Sequence, residues 1–406
     1  MTMPQLAASP PLLPRRTNAS PMTAIDWARL MAFFVLFVGH ATVMNLSQLA
    51  VSWWLQYLSP WIDRKFNQHC EHWFCNLLVA ATAIWAPTKL VLTGDRELLD
   101  DKSSSGAATS NGGSERSWFA PAVEHGCMVI SNHQTYFDWI IIWILSYQER
   151  CDGYVKIILK DDLKNVPVFG WGMRMFDFIF LKRKWADDQQ TFTRHMRRIV
   201  EHDDPAWLLI FPEGTVLCNK RIAISDKYAE KMGHKKPEHT LLPRANGTRF
   251  CLSQLRGRIP YVYDLTMGYE GLKKGDIPED EYGLVSMYGK RVYPREVHIH
   301  VKRYAVADIP EDEEGFTNWM NQVFVEKDTR MARFYELGRF PHNHTEDEAI
   351  PAGEPVLQMT REAKDNNLPA EFLSMWLQFL ALLTPTYYVL HAVYSTAVSA
   401  VSALLS

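Results

Sequence analysis

Apolar stretches without formal charge occupy both ends of the chain. They cover 30–62, 72–88 and 372–406, and Pro385 divides the last of them. A helix needs about 20 mostly apolar residues to cross a bilayer, and the first and third stretches are long enough. Aromatic residues near the end of the first stretch are typical of a membrane interface. We therefore expect an N-terminal membrane hairpin of two helices and a C-terminal membrane segment, which is either one span with an interfacial helix or a shallow hairpin.

The same N-terminal pattern also fits two buried helices of a soluble domain. Arg15, Arg16 and Arg29 precede or open the first stretch, and this excess of positive charge favours a cytosolic N-terminus. Two crossings would then return the middle of the chain to the cytosol.

The middle of the chain predicts an α/β fold. Short apolar, β-branched runs alternate there with amphipathic stretches such as 187–202, whose acidic first turn is typical of a helix start. Runs such as 207–211, Trp-Leu-Leu-Ile-Phe, fit strands that are buried on both faces. The predicted strands cover 89–93, 127–131, 154–159, 178–181, 207–211, 259–265 and 297–301. They indicate a sheet of about seven strands with helices on both sides.

These patterns divide the chain into consecutive segments. The Pro-rich start is expected to be a disordered tail, and the Ser- and Gly-rich stretch at 101–117 a flexible insertion. The predicted segments are the tail (1–23), the N-terminal membrane helices (24–88), the α/β domain with its insertion (89–345), a linker (346–371) and the C-terminal membrane segment (372–406).

Composition narrows the functional classes. The 406 residues are 47% hydrophobic and 22% charged, which is typical of a globular protein. The formal net charge of −3 argues against a globally basic nucleic-acid-binding protein. Six cysteines are too few for a disulfide scaffold and suit a reducing compartment.

A histidine follows the predicted strand 127–131 within the segment Asn-His-Gln-Thr-Tyr-Phe-Asp, 132–138. Ligands bind in open α/β sheets at such strand ends. On one regular helix His133 and Asp138 would lie about 140° apart, so they meet only if His133 precedes the helix and Asp138 begins it. The carboxylate would then orient the imidazole as a general base, although a structural His–Asp hydrogen bond explains this segment alone equally well.

No Gly-x-Ser-x-Gly elbow occurs in the sequence. The proton taken by His133 is therefore expected to come from a substrate hydroxyl that attacks an acyl donor directly. A lipid hydrolase with Ser131 as its nucleophile is the less favoured alternative.

Two further strand ends carry candidate binding residues. Phe-Pro-Glu-Gly-Thr at 211–215 presents Glu213 beside a glycine, where it could bond a substrate hydroxyl. The run 178–184 ends in three cations, of which Arg183 is the best fork for a phosphate and Lys182 adds charge. Taken singly, each fits an ordinary strand end as well.

Together and in this order, these segments resemble the blocks of the glycerolipid acyltransferase family, which includes lysophosphatidate acyltransferases. The resemblance covers roughly 89–270. It extends through 281–340 to a eukaryotic branch that contains lysocardiolipin, lysophosphatidylinositol and lysophosphatidate acyltransferases. The residues that carry it beyond the blocks themselves are Lys160, Leu163, Pro167, Gly170, Trp319, Lys327, Asp328 and Tyr335.

The sequence departs from the family in two places. Asp177 lies where the second block often has a glycine, and the strand at 259–266 lacks the pattern of the bacterial fourth block. That strand and Leu-Leu-Pro-Arg at 241–244 are similar to the eukaryotic branch instead. This favours a lysophospholipid acceptor and leaves open whether the product is phosphatidate or a remodelled lipid.

The resemblance implies roles for the candidate residues. His133 would be the base, Asp138 its orienter and Arg183 the ligand of the acceptor phosphate. Acyl-CoA would be the donor and co-substrate, with no metal or other cofactor, and the bilayer would hold both substrates. The other residues expected at the substrate site are Asn132, Lys182, Glu213, Gly214 and Thr215.

The family also implies an integral membrane protein, with the endoplasmic reticulum and a cytosolic catalytic domain favoured over mitochondrial or lipid-droplet membranes. A non-catalytic membrane-shaping or tethering protein on the same fold is the alternative from another class.

Two histidine-containing groups are weaker candidates. His69, Cys70, His72 and Cys75 lie close in sequence, but no second pair follows at zinc-finger spacing. His298 and His300 fall on one face of a predicted strand and are expected at an exposed sheet edge rather than as metal ligands.

Overall fold

The computed structural model describes residues 18–94, 98 and 118–341, together with scattered helical positions between 373 and 399. The predictions for most of the tail, for the insertion at 101–117 and for the linker at 346–371 lie outside the described residues. Most of the predicted C-terminal membrane segment, 372–406, lies outside them as well.

The described elements alternate between strands and helices along the middle of the chain. The strands are β1 (Lys89–Gly94), β2 (Cys127–Ser131), β3 (Val155–Lys160), β4 (Ile179–Leu181), β5 (Trp207–Ile210), β6 (Tyr261–Tyr269) and β7 (Glu296–Ala305). The helices are α1 (Ala24–Leu58), α2 (Pro60–Trp85), α3 (Ala120–His125), α4 (Asp138–Gln148), α5 (Phe169–Met175), α6 (Trp185–His202), α7 (Asn219–Met232), α8 (Ala245–Leu255), α9 (Pro278–Glu281) and α10 (Glu313–Leu337).

The strands form one mixed seven-stranded sheet in the order β1-β7-β6-β2-β5-β3-β4. Every pair is parallel except β6 and β7, which run antiparallel. The carboxyl ends of β2, β4 and β5 therefore meet at one edge of the sheet, which brings together the three segments that the sequence singles out. The α/β prediction with seven strands and flanking helices is confirmed.

The antiparallel pair at β6 and β7 is longer than predicted. It is in register from Tyr261 opposite Ala305 to Tyr269 opposite Val297, so β6 continues past the end of β2 toward the functional edge. The pairing also corrects the prediction for His298 and His300. Because β7 lies between β1 and β6, both imidazoles are buried: His298 approaches Glu296 at 3.2 Å, and His300 lies 3.2 Å from the Thr93 hydroxyl.

Alternate side chains of the central strands pack into separate cores. In β2, Val129 faces a core shared with α2 and α4, whereas Met128 and Ile130 face a core shared with α6, α8 and α10. This is the period-2 alternation of a strand that is covered on both sides. The sheet is thus the middle layer of a three-layer structure.

Two long helices joined at Ser59, α1 and α2, form the N-terminal part of the described chain. A reciprocal capping box between Thr23 and Asp26 starts α1, and Ser59 caps the N-terminus of α2. Within the described ranges, α1 is the one helix that is both long enough and apolar enough to cross a membrane. It leaves large apolar side chains exposed, among them Trp27, Val35 and Trp53.

Helix α2 differs from the second membrane helix that 72–88 predicts. Its buried face packs on the sheet, and its charged groups bond to the α/β domain: Glu71 pairs with Lys156 at 2.9 Å, and Lys65 pairs with Asp204 at 2.8 Å. Most of the uncharged stretch 72–88 forms the second half of α2, and its crossing of a bilayer stays a prediction.

Gly126 lies where the backbone before β2 comes very close to the backbone before β5. It adopts φ 75° and ψ 174°, a conformation almost confined to glycine, and a Cβ there would lie 2.7 Å from the carbonyl oxygen of Ala206. We expect Gly126→Ala to lower the free energy of unfolding by about 3 kcal/mol or more, since conformational strain and steric overlap add. Urea unfolding of the purified protein, followed by tryptophan fluorescence, measures the change.

Gly257→Ala is the matched control. Gly257 also has a positive φ of 81°, but nothing lies within 4 Å of the added Cβ. Gly257→Ala should lower the free energy of unfolding by roughly 1–2 kcal/mol, which is the strain of a left-handed conformation alone. Equal losses in the two variants would contradict the close approach at Gly126.

Candidate active site

The His133 and Asp138 side chains meet at the carboxyl end of β2. His133 lies in the turn after the strand and Asp138 is the first residue of α4, so the turn closes the angle that a single helix would leave between them. Nδ1 of His133 is 2.9 Å from Oδ2 of Asp138. This contact leaves Nε2 as the nitrogen that can exchange a proton with a substrate, and 15% of the His133 side chain is exposed there.

The Asp138 carboxylate is fully buried and accepts hydrogen bonds from several donors. Oδ2 accepts the backbone N–H of Gln134 at 2.6 Å and that of Thr135 at 3.1 Å. Oδ1 accepts the hydroxyl of Thr135 at 3.2 Å and the hydroxyl of Tyr269. Burial and the neighbouring Asp138 raise the pKa of Tyr269 well above its ordinary value, so this hydroxyl stays protonated and donates a hydrogen bond to the carboxylate. These bonds fix the carboxylate and therefore the imidazole plane.

The Phe-Pro-Glu-Gly-Thr turn supports His133 from the neighbouring strand. The imidazole stacks on Phe211, with 4.1 Å between ring centroids and 17° between planes. Glu213 is buried and accepts the backbone N–H of His133 at 3.1 Å. Burial raises the pKa of Glu213 well above its ordinary value, while the His133 N–H opposes the shift. The structure thus places Glu213 behind His133, as a brace of the backbone rather than a group facing open space.

Arg183 and Arg244 lie against the same turn, and the charge of Arg221 acts on Arg183. Nη2 of Arg183 donates to the carbonyl oxygen of Gly214 at 2.9 Å, and a Cβ at Gly214 would lie 3.6 Å from Cδ of Arg244. Burial, then Arg221, then Arg244 lower the pKa of the Arg183 guanidinium, which still carries its charge at neutral pH. In the described part of the chain, no carboxylate lies within 4 Å of these three guanidinium groups. Such a cluster favours an anion, and guanidinium is the side chain best shaped to hold a phosphate.

The remaining predicted residues have other surroundings. The ammonium of Lys182 lies 3.6 Å from Asp187, on the exposed start of α6 and not in the arginine cluster. Asn132 is fully buried, and its amide exchanges two hydrogen bonds with the backbone of Met267, at 2.8 and 3.0 Å. Asn132 therefore joins β2 to β6 instead of facing a substrate. Thr215 is half-buried at the turn.

Sequence reasoning missed Arg221, Arg244 and Tyr269 as site residues. Arg244 lies in the Leu-Leu-Pro-Arg segment that resembles the eukaryotic branch, which was a usable signal. Tyr269 reaches Asp138 only because β6 extends past β2, and Arg221 lies on α7, a helix with no motif of its own. Neither position can be inferred without the register of the sheet.

The alternative chemistries fit these surroundings less well. Ser131 is fully buried and donates its hydroxyl to the carbonyl of Asn132 at 3.1 Å, away from the imidazole of His133. Cys70 and Cys75 are buried, and His72 bonds to Asp152 at 2.7 Å. Across the described ranges, no group of three or more His, Cys, Asp or Glu side chains could hold a metal ion.

Two protein-family models match consecutive parts of this domain. Residues 114–268 match the acyltransferase family, and residues 290–361 match the acyltransferase C-terminus family. The first match contains the turns after β2, β4 and β5, and the second contains α10.

Individual relatives agree with the family matches. The chain is 35% identical to an uncharacterized acyltransferase of Schizosaccharomyces pombe over 310 residues, which are 75% of this chain and 84% of that protein. It is 37% identical to the 2-acyl-1-lysophosphatidylinositol acyltransferase of Saccharomyces cerevisiae, over 52% of this chain and 62% of the relative. It is 38% identical to lysocardiolipin acyltransferase 1 of Danio rerio, over 70% of this chain and 65% of the relative.

The order of the motifs, their convergence at one sheet edge and the extent of these matches lead to one conclusion. The chain belongs to the glycerolipid acyltransferase family, and it is an acyltransferase of phospholipid metabolism.

Proposed function

We propose that this protein transfers a fatty acyl chain from acyl-CoA to the free hydroxyl of a lysophospholipid. The observation that carries the proposal is the ordered His133–Asp138 pair beside three arginines that lack carboxylate partners among the described residues. A base next to an anion site suits an acceptor that carries both a hydroxyl and a phosphate.

The expected reaction is a direct acyl transfer. Nε2 of His133 takes the hydroxyl proton as the acceptor oxygen bonds to the thioester carbonyl carbon. The C–S bond then breaks, and the CoA sulfur leaves and takes the proton from His133. Asp138 stabilises the imidazolium between the two steps.

Membrane attachment belongs to the same proposal. Because both substrates carry long acyl chains, a catalytic domain held at a bilayer meets them where they are concentrated. The exposed apolar side chains of α1 support such attachment. We propose the endoplasmic reticulum membrane, with the active site on the cytosolic side where acyl-CoA is found.

A non-catalytic tethering protein is the competing function. Burying a carboxylate is costly unless it is fully hydrogen-bonded, and a tether would have no use for the ordered, solvent-reachable imidazole that Asp138 supports here. The dyad therefore favours the enzyme.

An acceptor panel tests the proposal. The purified full chain is incubated with one labelled acyl-CoA and, in parallel, lysophosphatidate, lysophosphatidylinositol and lysocardiolipin. We expect labelled phospholipid from at least one acceptor and little free fatty acid. Labelled free fatty acid in every arm, without labelled phospholipid, would support a hydrolase. No turnover in any arm would support the tethering protein.

His133→Ala should lower kcat by about 10²–10⁴-fold, the usual contribution of a positioned general base. The protein should still fold, because the side chain is partly exposed and no buried charge is added. Initial rates and a thermal melt measure the two effects. His125→Ala is the control, since this exposed histidine precedes β2 at the opposite end of the strand. Wild-type turnover by His133→Ala would contradict the mechanism.

Arg183→Ala should raise the KM for the lysophospholipid by about tenfold, which corresponds to about 1.4 kcal/mol of lost binding. The KM for acyl-CoA should change by less than about twofold, because the arginine cluster is assigned to the acceptor phosphate. Steady-state kinetics with each substrate varied in turn separate the two constants.

Lys182→Ala is the matched control for Arg183→Ala. It removes the adjacent cation, which faces Asp187 outside the cluster. Its acceptor KM should stay close to the wild-type value. Equal increases in both substrate constants for Arg183→Ala would argue against a phosphate role.

A further inference from the structure

The carboxylate of Asp328 holds a stretch of backbone rather than a cation. Asp328 lies on α10, and its Oδ1 accepts the backbone N–H of His239 at 2.7 Å and that of Thr240 at 3.0 Å. The N–H of Glu238 lies 3.0 Å from both oxygens, and the Thr240 hydroxyl lies 3.2 Å from Oδ1. One side chain thus fixes three successive residues of the loop before α8.

Asp328 holds the loop 238–244. The first half of this loop contacts the histidine motif, 132–138. The carbonyl oxygen of His239 accepts Nε2 of Gln134 at 3.1 Å. Gln134 is the neighbour of His133, is fully buried, and donates its backbone N–H to Asp138. The loop is therefore one hydrogen bond away from the catalytic turn.

The second half of loop 238–244 contacts the anion site. The N–H of Leu242 donates to the Ser225 hydroxyl at 3.0 Å, and the N–H of Arg244 donates to the carbonyl oxygen of Pro212 at 2.8 Å. These bonds bring the side chain of Arg244 against Gly214, whose carbonyl also accepts Arg183. The path of this loop therefore sets where one of the three guanidinium groups lies.

Helix α10 is a rigid base for this arrangement. Lys327, next to Asp328, is fully buried; it pairs with Asp264 of β6 and donates to the carbonyl oxygen of Leu265 at 2.6 Å. The Asp328 carboxylate therefore has a fixed position relative to the sheet. The loop is therefore bonded to a helix that is itself anchored to the sheet.

We infer that Asp328 is a positioning residue for the acceptor: from α10 it fixes loop 238–244 and so places Arg244 at the phosphate-binding cluster. The inference rests on the proposed lysophospholipid acceptor. The inference gives α10 a part in acceptor binding. A helix that only stabilised the fold would have no such part.

Asp328→Ala removes all of these loop contacts, and we expect the acceptor KM to rise about tenfold while the acyl-CoA KM changes less than about twofold. Asp328→Asn keeps an oxygen in the Oδ1 position and should give a smaller rise. It also serves in every assay if the alanine variant does not fold.

Asp312→Ala is the matched control. Asp312 is the N-cap of the same helix and also accepts a backbone N–H, that of Gly315 at 2.7 Å, but no described hydrogen bond joins it to the loop or the arginine cluster. It should lower the melting temperature, since N-caps stabilise helices by about 1 kcal/mol, and leave the acceptor KM unchanged. A rise in acceptor KM for this control equal to that of Asp328→Ala would assign the effect to stability and overturn the inference.

A double-mutant cycle with Arg244→Ala tests whether Asp328 acts on the acceptor through Arg244. If Asp328 acts by placing Arg244, the Asp328 substitution should raise the acceptor KM by less than about twofold once Arg244 is removed. An equal rise in both backgrounds, or no rise in the wild-type background, overturns the inference.

Amide hydrogen exchange gives a readout that needs no turnover. Asp328→Ala should speed exchange over 238–240 and at Arg244, whereas Asp312→Ala should speed it only at the start of α10. Unchanged exchange at Arg244 overturns the coupling even if the wild-type protein acylates no lysophospholipid. A wild-type protein inactive in the acceptor panel defeats the proposed function alone.

Discussion

A buried carboxylate organises the site. Asp138 has no access to solvent, and leaving its charge without partners there would cost more than the fold could supply. Its partners are the ring of His133, two backbone N–H groups of its own turn, the hydroxyl of Thr135 and the hydroxyl of Tyr269. The need to satisfy one anion thus fixes the turn after β2, the plane of the imidazole and the end of β6 at once. The turn after β2 thus owes its order to the partners of one carboxylate.

The sheet supplies what a local turn cannot. Since β2 and β5 are neighbours and parallel, the His133 turn and the Glu213 turn leave the sheet side by side, and Glu213 can bond the His133 backbone directly. The β4 end lies two strands beyond β5, so Arg183 reaches the same turn only through its long side chain. Base and anion site are therefore separated by the width of the Gly214 turn. An acceptor is expected to lie across that turn, with its phosphate on one side and its hydroxyl on the other.

Sequence patterns predicted the strands and helices, but they did not predict which distant segments lie next to one another. The seven strands were predictable because apolar, β-branched runs identify buried strands. Helix geometry set the condition for His133 and Asp138 to meet, namely that His133 precedes the helix and Asp138 begins it. The burial of His298 and His300 depended on β7 lying inside the sheet, and the role of Tyr269 depended on the register of β6 with β7. Those facts are set by packing between segments far apart in the chain, which periodicity within one segment does not encode.

The surroundings of two predicted substrate-site residues also depend on packing between strands. Asn132 and Glu213 are expected at the substrate site because of the family resemblance, although Glu213 alone also fits an ordinary strand-end turn. In the structure Asn132 is buried and fully bonded to backbone, whereas Glu213 bonds the His133 backbone through Oε1 and keeps Oε2 buried without a hydrogen-bond partner. The arginines differ because their charges oppose one another: Arg221 and Arg244 lower the pKa of Arg183, and in the part of the chain that the structure describes no carboxylate lies within 4 Å of the three groups. The proposed acceptor phosphate would relieve this repulsion beside the His133–Asp138 pair.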